Sequence, residues 1–427
     1  MPRTAATLAP AMSSALPPVV ADLVDDGPVV ADLVSDEVTA IPVAMPVRKR
    51  EVIPVVMPLP RESPFRRAKS FVGSVTEWVF GLAALFVGLA VLAAVPVGQF
   101  LALGYLLESS GRVARSGRLR DGFIGIRTAA KFGGIALACF LMWLPLYFLS
   151  IQAQAAKIID PNGRIARQWE GWLSVLVTLI VLHAVAAVLR GGRFRDFLRP
   201  LNVPWLVVRA FRGGLYTEAR DRLWNTVVAL RFPYYFWLGV RGFFGAFLWL
   251  AIPLLLLGQG HRAPAVGIIG GLMLAAVVLY VPFLQVRFAR DNRLRAYREF
   301  RQVRAAFRRA PLAFALALWV HLLFAIPLYI MKIEVIPRDL VFLEGLMFLL
   351  FMFPARLLGG WAYARGTRRA VPRHWMLRWM GRFAVVPVVA AYVLVVFFSQ
   401  HLGWKGIASL YEQHEFLLPV PFVTWQG

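Results

Sequence analysis

EWVFGLAALFVGLAVLAAVPVGQFLALGYLLESSGRVARSGRLRDGFIGIRTAAK, running from Glu77 to Lys131, sets the pattern for the chain. Thirty uncharged, mostly apolar residues separate Glu77 from Glu108, interrupted by Pro96, and a basic run follows. A helix rises 1.5 Å per residue, so about twenty residues cross the roughly 30 Å of bilayer hydrocarbon. The stretch therefore belongs in lipid. Apolar segments recur at about 132–151, 172–189, 236–257, 264–286, 312–331, 340–360 and 383–398, each separated from the next by polar residues. None alternates in polarity with a period of two, which excludes a closed barrel. The fold class is all-α: a polytopic transmembrane helical bundle of about seven full spans, plus a first segment that either re-enters or crosses as one long helix, with basic interfacial helices.

Composition agrees. Hydrophobic residues make up 59% of the 427 and charged residues 16%, with a mean hydropathy of +0.64, whereas soluble domains are about a quarter charged. A net charge of +24 on a soluble chain would point to nucleic acid. Here the arginines lie between apolar segments, so anionic headgroups of the inner leaflet are the expected counter-charge and no nucleic-acid partner is expected. The single cysteine, Cys139, excludes an intramolecular disulfide and a cysteine zinc site.

The connectors set the orientation. Segments 108–131, 190–222, 287–309 and 365–382 hold 6, 8, 9 and 6 Lys or Arg, whereas 152–171, 258–263, 332–339 and the tail from Ser399 hold 3, 1, 2 and 1. The positive-inside rule places the first set in the cytoplasm. Residues 71–398 form the transmembrane domain, and 399–427 a short extracytoplasmic tail with Trp404, Tyr411 and Trp425 at headgroup level. The first thirty residues have no continuous apolar core, so targeting to a bacterial cytoplasmic membrane rests on the first membrane segment.

That first segment complicates the count. A single outward crossing would export 108–131 with its six basic residues. Either the chain turns at residues 95–98 and returns as a re-entrant hairpin of two half-depth arms, or the tail is outside and the segment is one long inward crossing. Arg66, Arg67 and Lys69 favour a cytoplasmic tail. A hint of repetition favours the other reading: Val95-Pro96 with Gln99 recurs as Val281-Pro282 with Gln285, and Pro-Leu-Tyr follows at Pro145 and Pro327.

Residues 1–70 are rich in Pro, Val, Ala and Asp, which prevents regular hydrogen bonding and implies a disordered tail. PVVADLV occurs at 18–24 and again at 28–34, a pattern suited to docking a cytoplasmic protein partner twice. In the connector from Arg287, basic and apolar residues alternate at helical spacing. Two readings fit: a helix along the interface, rings in acyl chains and Arg290, Arg301, Arg304 and Arg308 at lipid phosphates, or a cytoplasmic extension of the neighbouring helix that only enforces orientation.

At VPVGQFLALGYLLESSGRVARSG, 95–117, the chain resembles a family of prokaryotic multi-pass membrane proteins of unknown function. Pro96, Gly98, Gly104, Tyr105, Leu106, Arg112 and Gly117 carry the likeness. It implies membrane architecture and no mechanism.

Ionisable and polar residues within apolar segments are the default functional candidates in a membrane. Gln99, His183, Gln285 and His321 form this set, with Pro96, Pro282 and Pro354 as candidate helix breaks. Arg241 and Arg356 lie close enough to segment ends to snorkel to water. No HExxH, GxSxG, P-loop or GxGxxG occurs, so no catalytic residue, metal or cofactor is assigned. Two functions fit: a non-enzymatic binding or scaffold protein engaging anionic lipid and a cytoplasmic partner, or a transporter subunit with a midplane site near the broken helices. Alkaline phosphatase fused after Gly214 or Ala296 is expected to be inactive and a fluorescent protein at the same positions bright; the reverse pattern at either position refutes the orientation.

Overall fold

Why the first segment breaks is evident from its residues. Pro96 has no amide proton, and the computed structural model, which describes residues 64–330, 341–402, 406–411 and 416–417, ends helix α1 (Pro64–Ala94) there and starts α2 (Gly98–Ser116) two residues later. The chain reverses at this point. Ala93 packs on Ala102. Phe86 and Tyr105, on opposite sides of Pro96, meet the same Phe353 ring at centroid distances of 5.3 and 6.3 Å. Trp78 lies 5.3 Å from Phe123, beyond the far end of α2. This is the hairpin of the first alternative, but its arms are not half-depth: α1 has 31 residues and α2 has 19, the latter long enough for about 28 Å. The repeat's argument for one inward crossing fails here.

The remaining helices are α3 (Ile126–Ile159), α4 (Arg164–Arg190), the short α5 (Phe194–Phe197), α6 (Asn202–Phe211), α7 (Leu215–Leu230), α8 (Phe232–Gly258), α9 (Pro264–Val278), α10 (Val281–Asp291), α11 (Phe300–Arg309), α12 (Pro311–Ile330), α13 (Val341–Arg368) and α14 (Trp375–Leu402). No strand occurs among the described residues, and eight helical stretches are long and apolar enough to cross a membrane. The architecture is an all-α polytopic bundle. Residues 64–70, expected in the disordered tail, begin α1. The PVVADLV copies, Trp404 and Trp425 lie outside the described residues.

At the centre stands α2, buried along most of its length from Gly98 to Ala114 and surrounded by α1, α8, α10 and α13. It crosses α8 antiparallel in direct backbone contact. A Cβ on Gly104 would overlap the Tyr235 carbonyl, and one on Gly239 the Phe100 carbonyl. Lipid supplies no hydrophobic drive between helices, so such close packing of small residues is what holds them together.

All four basic connectors meet at one end, 190–222 reaching 108–131 where a Cβ on Gly192 would stand 3.5 Å from Lys131 Cε. Arg115 donates to the carbonyls of Ala289 and Arg290 at 3.1 and 3.0 Å, Arg368 to that of Arg115 at 3.3 Å, and the Arg373 amide to Arg308 at 2.9 Å. Arg241 donates to Asn292 Oδ1 at 2.9 Å. We call this end the basic face.

The connector from Arg287 is not one interfacial helix. Asn292, at φ 51°, ends α10, and a 3₁₀ turn at Leu294–Arg298 precedes α11. Phe288 and Tyr297 lie in the protein core instead of acyl chains, because α10 packs against α2 within the bundle. Only α11 shows the expected two faces, Val303 and Ala306 buried, Arg301, Arg304 and Arg308 exposed. A closer likeness than the proline pair emerges at these turns. Arg112, Ala114, Arg115, Gly117, Arg118, Leu119 and Arg120 match Arg287, Ala289, Arg290, Asn292, Arg293, Leu294 and Arg295 in spacing. Both stretches run from a left-handed cap into an extended arginine and a 3₁₀ turn. The Pro-Leu-Tyr pair does not share surroundings: Tyr147 is exposed and Tyr329 buried.

Replacing Gly239 by Val drives a branched side chain into the backbone of α2. The change is expected to cost about 3 kcal/mol, read as a lower unfolding temperature in detergent, whereas Gly88→Ala, inside α1 where the added methyl meets nothing within 4 Å, is expected to hold or raise that temperature.

Candidate functional site

Two regions gather the chemistry, one enclosed and one an open groove. The enclosed region lies where α10, α12 and α13 meet. Gln285 is fully buried; its Oε1 accepts from Arg356 Nη1 at 2.5 Å and its Nε2 donates to the Phe416 carbonyl at 2.7 Å. His321, also fully buried, lies 2.8 Å from the Ala317 carbonyl through Nδ1. That bond makes Nδ1 the donor and leaves the lone pair on Nε2, which meets no partner among the described residues. The ring rests on Gly359, where an added Cβ would stand 2.9 Å from His321 Cε1, one turn along α13 from Arg356. Tyr297 adds a hydroxyl that donates to the Gly242 carbonyl at 2.9 Å, and burial pushes its phenol above the usual range.

The structure thus unites Gln285 with His321 and brings neither Gln99 nor His183 to them. Gln99 sits beside the Pro96 turn, its buried Oε1 without a partner among the described residues. His183, on α4, has its Nε2 2.8 Å from the Phe197 carbonyl and 3.2 Å from Asn202 Nδ2. Arg356 does not snorkel: it is 1% exposed, directed inward to Gln285. A guanidinium in the bundle interior is tolerated only with strong acceptors, and the amide of Gln285 supplies one. Of the proposed breaks, Pro96 reverses the chain and Pro282 follows a bend between α9 and α10, but Pro354 lies within an unbroken α13. A single lost backbone bond is absorbed when neighbouring helices clasp the segment. The C-terminal tail is not wholly at headgroup level either, since Leu410, Phe416 and Leu417 are buried.

A second buried charge was assigned to a segment boundary by sequence. Glu108, 5% exposed, accepts from Arg112 at 3.1 Å, Arg115 at 2.7 Å and the Tyr234 hydroxyl at 2.7 Å. Three donors, two of them charged, offset the cost of removing a carboxylate from water. Its role is to tie α2 to α8 at the basic face. Arg287 is likewise enclosed, donating to Tyr363 at 2.7 Å and pairing with Glu299.

The open region is a groove of about 1010 Å³ between α9, α12 and α14, floored at the basic end by α11. Its volume is at the top of the ~300–1,000 Å³ range of small-molecule sites. Toward the opposite face α9 and α14 close together, with Val393 Cγ1 3.5 Å from the position of a Cβ on Gly271. Toward the basic face the walls are Leu279, Phe283, Phe314 and Val386, and the mouth carries Arg304 and Arg382. Neither arginine has a carboxylate partner among the described residues. Arg382 is held 5.0 Å over the Trp379 ring. Arg290, grouped with Arg304 on sequence, instead lies 5.8 Å over Tyr363 and 3.7 Å from Asp291. Sequence reasoning missed Arg382, although it starts an apolar stripe with Val385, Val389 and Val393 at helical spacing.

No protein-family model matches the chain, and no curated protein or solved structure matches it. The resemblance at 95–117 therefore brings no function to these sites.

Gln285→Leu removes the acceptor of a charged hydrogen bond and the donor to Phe416. A loss of about 2–3 kcal/mol is expected in denaturant unfolding of the detergent-solubilised protein, while Gln285→Glu, which keeps an acceptor for Arg356, is expected to lose less than Gln285→Leu.

Proposed function

We propose that the protein is a lipid-binding protein of the bacterial cytoplasmic membrane, whose groove between α9, α12 and α14 holds the acyl portion of an anionic lipid while Arg304 and Arg382 meet its headgroup. The observation that carries this reading is the coincidence of an apolar cleft, closed toward one face, with two arginines at its other end that have no carboxylate partner among the described residues. An acyl chain needs apolar walls along its length and an anionic head needs guanidinium at phosphate depth, and the groove orders the two as a leaflet does. Phe307 and Arg304 of α11 join both demands on one short helix. The binding role needs no moving part and no titrating group in the bundle.

A transporter reading draws on the Gln285–Arg356–His321 cluster. Those three residues do not line the groove, so the two readings make separate demands. In the lipid-binding reading the cluster is an internal tie among α10, α12 and α13. The N-terminal PVVADLV copies fit recruitment of a cytoplasmic partner to this lipid-bound scaffold.

Native mass spectrometry of the protein extracted in mild detergent tests the proposal. The parent is expected to retain anionic phospholipid above its share in the source membrane. Arg304→Gln with Arg382→Gln is expected to lower that retention about tenfold, and Ala276→Trp, which fills the groove, to abolish it. Retention at the membrane's bulk ratio in the parent, or unchanged retention in both variants, overturns the reading.

A further inference from the structure

Where α4 ends, a second cavity of about 470 Å³ opens against the start of α3. Lys131, Arg190, Arg193, Arg195 and Arg199 line it with one carboxylate, Asp196. That carboxylate is committed: it is 5% exposed, accepts the Arg193 amide at 3.2 Å and pairs with Arg199 at 3.3 Å. Lys131, Arg193 and Arg195 have no ion-pair partner among the described residues.

The cluster is built, not merely charged. Gly192 turns the chain at φ 64°, a left-handed conformation that side chains disfavour. Arg190 donates to Asn202 Oδ1 at 2.9 Å and lies 4.7 Å over Trp205. Asn202, fully buried, donates to the Asp196 carbonyl at 2.7 Å, and His183 closes on the Phe197 carbonyl at 2.8 Å. The polar residue His183, singled out by sequence as an intramembrane site, is here a fastener of this loop.

We propose that this cavity binds a phosphate group, carried by a lipid headgroup or by a phosphorylated solute on the basic side of the membrane. Guanidinium forks match phosphate oxygens two at a time, and a shell of like charges fixed around a cavity is relieved by an anion of high charge density. The site stands on α3, α4 and the loop to α6, so it is independent of the groove.

Two probes distinguish the sources, both on the full-length chain in nanodiscs. Inorganic pyrophosphate is titrated calorimetrically into phosphatidylcholine nanodiscs, and phosphatidic acid retention is measured from nanodiscs containing it. Arg193→Gln with Arg195→Gln, both exposed positions, is expected to weaken at least one of these about tenfold, while the Arg304→Gln, Arg382→Gln pair leaves pyrophosphate binding unchanged. Loss confined to pyrophosphate identifies a solute site; loss confined to phosphatidic acid that the groove pair does not reproduce identifies a headgroup site. Absence of binding to both probes, or binding that Arg193→Gln with Arg195→Gln leaves intact, overturns the proposal.

Discussion

Enclosing α2 is the constraint from which the rest of the bundle follows. Its second half carries Glu108, Ser109, Ser110, Arg112 and Arg115, too many polar groups to face hydrocarbon. Protein must therefore surround it, and four helices do. The glycines at 104 and 239 let α8 approach to backbone contact, and Glu108 then fastens the same pair through Tyr234 at their basic ends. The longest apolar runs are left for the periphery, where α3 and α4 expose most of their side chains.

The helical class and the number of apolar segments were legible because the bilayer imposes a length and a polarity on every crossing. What sequence could not supply was the fate of polar groups near segment ends. Glu108 looked like a boundary and Arg356 like a snorkelling residue because both lie a turn or two from water along the helix. Neither is directed that way. A partner on another helix, Tyr234 for one and Gln285 for the other, decides the direction, and no pattern along a single segment reveals it.

The same limit explains the connector from Arg287. Its periodicity was read as one amphipathic helix, yet the left-handed cap at Asn292 divides it into a core helix, a turn and an interfacial helix. Asparagine tolerates that conformation, and the matching cap at Gly117 uses glycine, so two chemically different residues perform one backbone task. Local spacing of prolines suggested a repeat in the wrong place; the turn geometry shows where the two halves of the chain do agree.

Sorting the arginines by what they touch separates architecture from recognition. Arg115 and Arg368 satisfy helix-end carbonyls, and Arg112 and Arg287 neutralise Glu108 and Glu299. These side chains are consumed in holding helix ends together. Arg304 and Arg382 at the groove, and Arg193 and Arg195 at the α4 turn, have no carboxylate partner among the described residues while lining open space. The positive-inside rule counts all of them equally. Charge that is paired internally cannot also attract a ligand with full strength, so a cavity lined by guanidinium groups left out of those pairs is where an anion gains the most by binding.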